Sequence, residues 1–201
     1  MSSIEESVKQ QFMKVFAQSD WHLFKRMAEF YLRQAAFLRK RDLGVPNGLK
    51  LLARNSQKRL FIGVGIELLL KAIYLKNGYV INRLGKPASA TLRLPFTFAQ
   101  ATGWRLLEDK TFMLSELIDP LKKVIQLDNS RAVLRGLKIA KVFRNKEGHT
   151  VTSQHAFNAS NYRDIESALS ELYRHAFTEM ITVRFSLAPN EKPLWRIMPL
   201  R

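Results

Sequence analysis

Apolar side chains recur every three to four residues through most of this chain, which predicts an all-α protein. Ile4, Val8, Phe12, Val15 and Phe16 share one face of a helix over 4–18. Asp20 is placed to cap a second helix over 21–40, where Trp21, Phe24, Met27, Ala28, Tyr31, Ala35 and Leu38 keep helical spacing. That helix ends in Arg39-Lys40-Arg41, favourable beside a C-terminal dipole, and Gly44 and Pro46 then interrupt it. A third helix, about 49–76, changes character midway. Lys50, Arg54 and Lys58 lie four apart, a basic stripe that fits either solvated surface or a phosphate backbone. Leu60 to Leu75 is then apolar nearly all round, as in a central helix covered on every side. Gly63 and Gly65 each weaken that helix by about 1 kcal/mol against Ala, so close approach by another backbone is their expected role. Glu67 needs a cation in such company, and Arg144 and Lys71 are the candidates.

Asn77-Gly78 closes the central helix, and 79–111 reads as an irregular inserted loop with turn residues at Gly85, Pro87, Pro95 and Gly103. Within it Tyr79 to Asn82 and Thr91 to Phe98 are candidates for a short hairpin. Met113 to Ile118 resumes helix, and Asp119-Pro120 suits the start of another over 120–127. Asn129 or Ser130 caps a helix whose Arg131, Arg135 and Lys138 form a second basic stripe. The cleanest amphipathic run follows, from a capping arrangement at Asn161 and Asp164 through Ile165, Leu169, Leu172, Tyr173 and Phe177 to Met180 and Ile181, expected to pack on 60–75. Residues 187–201 hold three prolines and Trp195 without periodicity, and read as an extended C-terminal tail on a single domain of 1–186.

The composition narrows the function. With 201 residues and 46% apolar content, the chain can fill one core. It has no cysteine, so disulfides and thiolate metal sites are excluded, and no histidine–carboxylate cluster has metal-ligand spacing. The acidic, polar start Met1-Ser2-Ser3-Ile4-Glu5-Glu6 is unlike a signal peptide, and the apolar run at 60–75 is short for a bilayer and carries Glu67 and Lys71. The expectation is a cytoplasmic protein with no membrane partner. A net charge of +16 is the strongest compositional signal. Basic residues spread along the whole chain favour nucleic acid over anionic lipid, and an acidic protein partner also answers the charge.

The candidate chemistry sits in Val142-Phe143-Arg144-Asn145-Lys146-Glu147-Gly148-His149. Val133, Leu137 and Ala140 recur at helical spacing, and one more turn along that stripe arrives at Arg144. A guanidinium aimed at a core needs either a carboxylate or a wet cleft. Gly148 can end the helix in left-handed conformation, letting His149 fold back toward Arg144. His22, His155 and His175 have no arginine at that spacing and read as surface or packing residues.

An all-helical core, a central helix with Gly65-Ile66-Glu67-Leu68-Leu69-Leu70-Lys71-Ala72, and Arg144-Asn145-Lys146-Glu147-Gly148-His149 before the last helix together resemble the HEPN superfamily (higher eukaryotes and prokaryotes nucleotide-binding) over roughly residues 20–186. The resemblance implies an antiparallel helical bundle, here with an extra N-terminal helix. It also implies a metal-independent endoribonuclease of the toxin–antitoxin or phage-defence kind, with a composite site in a homodimer and no cofactor. By that similarity Arg144 and His149 are the catalytic pair and Asn145 a supporting polar residue, with Glu67 a possible support. Members governed by a partner nucleotidyltransferase often carry Tyr two residues after the His; Val151 stands there in this chain, against regulation at such a Tyr.

The residues suit that chemistry on their own account. RNA cleavage needs no metal when the 2′-hydroxyl attacks the neighbouring phosphorus, because the nucleophile belongs to the substrate. The protein must move protons near neutral pH and hold positive charge on the phosphorane oxygens. Histidine and arginine do these two things. Lys50, Arg54, Lys58, Arg131, Arg135, Lys138 and Lys146 are the candidate RNA contacts. Two other readings stand beside this one: a module that binds RNA or a nucleotide without cutting, with Arg144 paired structurally to Glu67, and a subunit whose charge answers an acidic partner such as an antitoxin.

Overall fold

The computed structural model describes residues 20–38, 44, 46–85, 94–101, 105–147, 158–185 and 192–200. The helix expected over 4–18 lies outside them. Among the described residues five α-helices run in the order α1 (Trp21–Phe37), α2 (Lys50–Lys76), α3 (Leu114–Ile118), α4 (Ser130–Glu147) and α5 (Ala159–Phe177). Strands β1 (Asn82–Gly85) and β2 (Arg105–Thr111) precede α3, and β3 (Glu179–Arg184) and β4 (Leu194–Pro199) follow α5. The described fold is therefore mostly helical, as expected, with two small antiparallel ribbons added to the helical core.

Local chemistry explains the helix starts. Asp20 Oδ1 accepts a hydrogen bond from the Leu23 amide at 3.0 Å, so α1 begins where its cap predicts. Asn129 Oδ1 does the same for the Ala132 amide at 3.1 Å ahead of α4. On α5 the cap lies three residues earlier than expected: the Asn158 side chain accepts from the Asn161 amide, and the Asn161 side chain returns the bond to the Asn158 amide. The helix expected over 120–127 is instead a 3-10 turn over Asp119–Lys123.

α2 is the central helix. Ile62, Ile66, Leu69, Leu70, Ile73 and Tyr74 are sealed from solvent along it, each large apolar side chain contributing about 1.5–3 kcal/mol. The Tyr74 hydroxyl donates to the Leu117 carbonyl at 2.8 Å, so its one polar atom is satisfied in the core. α1 and α4 flank α2, and the close approaches are made by glycines. A Cβ on Gly65 would stand 2.7 Å from Leu32 Cγ of α1, and one on Gly63 would stand 2.7 Å from Arg144 Cβ of α4. The closest helical neighbour of α5 is α4 rather than the 60–75 segment. There Gly136 faces the Asp164 carbonyl and Ala168.

The ribbons occupy places where helical spacing misleads. Met180 and Ile181 continue the apolar spacing of α5, yet the helix stops at Phe177 and Thr178 turns left-handed with φ 57°. Beyond it Ile181 and Val183 point inward and Thr182 and Arg184 outward, a period of two set by pairing with β4. The extended tail thus supplies β4, in a register that sets Glu179 opposite Pro199 and Arg184 opposite Leu194. In the 79–111 segment the expected hairpin survives as one bridge, Tyr79 to Thr97, while the true ladder joins β1 to β2. Val80, Phe96 and Ala101 form a small second cluster there.

The α4–α5 contact gives a direct test. A methyl group on Gly136 would collide with the Asp164 carbonyl and approach Ala168 Cβ to 2.7 Å. Gly136→Ala should therefore lower unfolding free energy by about 1–3 kcal/mol in urea titration. Gly48→Ala, whose new Cβ would meet nothing within 4 Å, should change it by less than about 0.5 kcal/mol.

Candidate functional site

The last turn of α4 brings Arg144 onto α2. Its N and Cα would each lie 2.8 Å from a Cβ on Gly63, so the arginine backbone rests in the gap left by the missing side chain. From that seat the guanidinium reaches one turn further along α2, where Nε lies 3.5 Å from Glu67 Oε2. The separation suits an ion pair but not a well-aligned hydrogen bond, and Nε is buried without one. Glu67 is also held from its own helix: Lys71 Nζ donates to Oε1 at 2.8 Å. Both candidate cations of the sequence thus converge on one carboxylate. Side-chain exposure is 7% for Lys71, 15% for Glu67 and 38% for Arg144, so the group grades from sealed to half-open toward the arginine.

The cluster holds two positive charges and one negative. Among the described residues no second carboxylate pairs with Arg144 or Lys71. An excess cation in a partly desolvated corner attracts an anion more strongly than the same charge on open surface. Asn145 and Lys146 are exposed at the end of the same helix. Gly148 and His149 lie outside the described residues.

The basic stripes fare differently. At 100° per residue, Arg131, Arg135 and Lys138 stand about 120–180° around α4 from Arg144, so the helix itself separates that stripe from the arginine. Arg135 is further engaged by Asp164 of α5 through two hydrogen bonds of 2.9 and 2.7 Å. On α2, Lys50 and Arg54 are half-buried, and Arg54 Nη2 donates to Asn55 Oδ1 at 3.3 Å. Lys58 departs most from the sequence reading: it is only 2% exposed, and so is not placed to touch a strand of nucleic acid. Burial, with help from the Arg54 guanidinium and against the pull of Glu166, brings its pKa down to about 8.

A second charged group escaped the sequence reading. Asp128, Glu171 and His175 hold their ligand-type atoms within 4.8 Å of one another. The i,i+4 spacing of Glu171 and His175 was visible in the chain, but Asp128 joins them only through folding. Glu171 Oε1 accepts the Asp128 and Asn129 amides at 2.9 and 3.2 Å, capping the approach to α4. Burial works to raise the Glu171 pKa, yet the Asn129 amide and Arg174 guanidinium prevail and hold it below the ordinary carboxylate range. Arg174 bridges Glu171 and Asp128, supplying the cation that these carboxylates require. This is a clamp on the start of α4.

Among the described residues no helix is long and apolar enough to cross a membrane. No family model, curated protein or solved structure matches the chain.

Three stability measurements follow from these charges. Glu67→Gln leaves two cations facing each other and should cost about 3 kcal/mol in denaturant titration, the low end for a broken buried pair. Arg144→Gln keeps the Glu67–Lys71 pair and should cost under about 1 kcal/mol. For Lys58 the unfolded chain binds its proton up to about pH 10.5 and the folded chain releases it near 8. Stability should therefore rise with pH across that window, by about 1–3 kcal/mol relative to Lys58→Met, which lacks the rise. Equal pH profiles for the two proteins would refute the assignment.

Proposed function

We propose that this protein is a metal-independent endoribonuclease of HEPN type, cutting RNA by attack of the 2′-hydroxyl on the adjacent phosphorus. What carries the reading is the charge arrangement at the end of α4: Arg144 and Lys71 share the carboxylate of Glu67, leaving positive charge on the last described turn, five residues before His149 in the sequence. Gly63 supports it by allowing the close approach that seats Arg144. A net charge of +16 supports an RNA substrate.

In this mechanism the 2′-oxygen bonds to phosphorus as its proton leaves to a base, the P–O5′ bond breaks, and the 5′-oxygen collects a proton. The products are a 2′,3′-cyclic phosphate and a 5′-hydroxyl. His149 serves as the general acid or base, and Arg144 faces the non-bridging oxygens, where negative charge grows in the transition state. Glu67 positions Arg144 from behind, through Nε, so that the outer edge of the guanidinium meets phosphate. Asn145 stands beside the pair as a polar support. A homodimer would bring two such pairs to one cleft and provide both proton transfers. The cellular setting that fits is a toxin or phage-defence ribonuclease restrained by a partner.

The test is direct. Purified protein incubated with total RNA in EDTA should release fragments ending in 2′,3′-cyclic phosphate. Arg144→Ala and His149→Ala should each slow that release by about 10²–10⁴-fold with circular dichroism unchanged. Full activity in either folded variant would end the proposal. Intact RNA affinity without cleavage in the wild type would favour a binding module.

A further inference from the structure

The outer face of α4 carries a groove of about 640 Å³ with two kinds of lining. Leu134, Ile139 and Val142 supply aliphatic surface, and Val142 is 42% exposed. Lys122, Arg131 and Lys138 supply charge, all three exposed. No acidic residue is among the described residues that line it. Arg135 also borders the groove, with its guanidinium already turned to Asp164.

We propose that this groove is the docking site for an acidic amphipathic α-helix of a partner protein. Three features select that occupant. Arg131 and Lys138 are seven residues apart on one helix face, about 10.5 Å along the axis, which matches carboxylates at i and i+7 on a helix lying alongside α4. The aliphatic surface beside the cations, Leu134 between them and Ile139 and Val142 just past Lys138, suits Leu or Ile anchors of the partner, the pattern by which helices enter grooves. A single-stranded nucleic acid fits less well, because none of the described lining residues is aromatic and its bases would find no stacking surface. An inorganic anion would leave the aliphatic part uncovered. The inference goes beyond the nuclease reading and does not rest on it, since the groove and Arg144 occupy different faces of α4.

The probe is a fluorescein-labelled peptide of about 14 residues, with Glu at i and i+7 and Leu at i+3, i+4, i+10 and i+11. Its controls are a scrambled peptide of the same composition and a single-stranded RNA oligomer of equal charge, all titrated at matched salt into the full-length protein. The patterned peptide should bind about tenfold or more tighter than the scrambled one. Lys138→Glu and Val142→Asp, both at exposed positions, should each weaken it by about tenfold, while Arg144→Ala leaves it unchanged. Equal binding of the two peptides, or indifference to Val142→Asp, overturns the proposal. So does tighter binding of the RNA oligomer that collapses in Val142→Asp, which would assign the groove to nucleic acid. Loss of RNA cleavage in Arg144→Ala with the peptide results intact would separate the two readings.

Discussion

Everything at the candidate site depends on one contact between two backbones. α2 and α4 meet where Gly63 offers no Cβ, and the space released is taken by the main chain of Arg144. A helix pair at that separation fixes more than a crossing point. It fixes the distance from Arg144 to the next turn of α2, and that turn carries Glu67. The weak helix propensity of glycine is outweighed by the packing that it permits along a helix buried through most of its length.

The charge pattern follows from the same contact. A lone Glu67 in the apolar half of α2 would be strongly unfavourable, and a lone Lys71 equally so. Together they are an ordinary i,i+4 pair, satisfied within one helix. Arg144 comes from another helix to a carboxylate that already has a partner, so its own charge is only partly answered. That distinguishes it from Arg174 and Arg135, whose carboxylate partners account for them as fasteners between elements. The proposed role of Arg144 at a phosphate starts from this partial neutralisation.

The long helices were legible because their caps and their periodicity are local. Asp20 and Asn129 name the starts of α1 and α4, and the largely apolar run at 60–75 in α2 announces a central helix. Glycines at 63 and 65 were readable as approach points, although not what would approach them. The β3–β4 ribbon was missed because its pairing is not local. Met180 and Ile181 satisfy a helical spacing and a strand alternation equally, and the decision belongs to β4, more than ten residues away. Lys58 sits on a respectable basic stripe and is nevertheless buried, because the neighbours that cover it come from tertiary packing. Glu67 could be assigned a cation in advance but not both. The relation of His149 to Arg144 lies outside the described residues, so the pairing rests on the spacing of the motif.

α4 is gripped at both extremities by carboxylates from other helices, Glu171 at its beginning and Glu67 near its finish. The two gripping carboxylates are equally sheltered, Glu171 at 16% exposure and Glu67 at 15%. They hold different kinds of group: Glu171 accepts main-chain amides ahead of the helix, whereas Glu67 meets a side chain near its end. The front is thus fastened to atoms that nearly any residue would present, while the rear is fastened to a guanidinium alone, so a single substitution there unties the helix from its neighbour without touching the other knot.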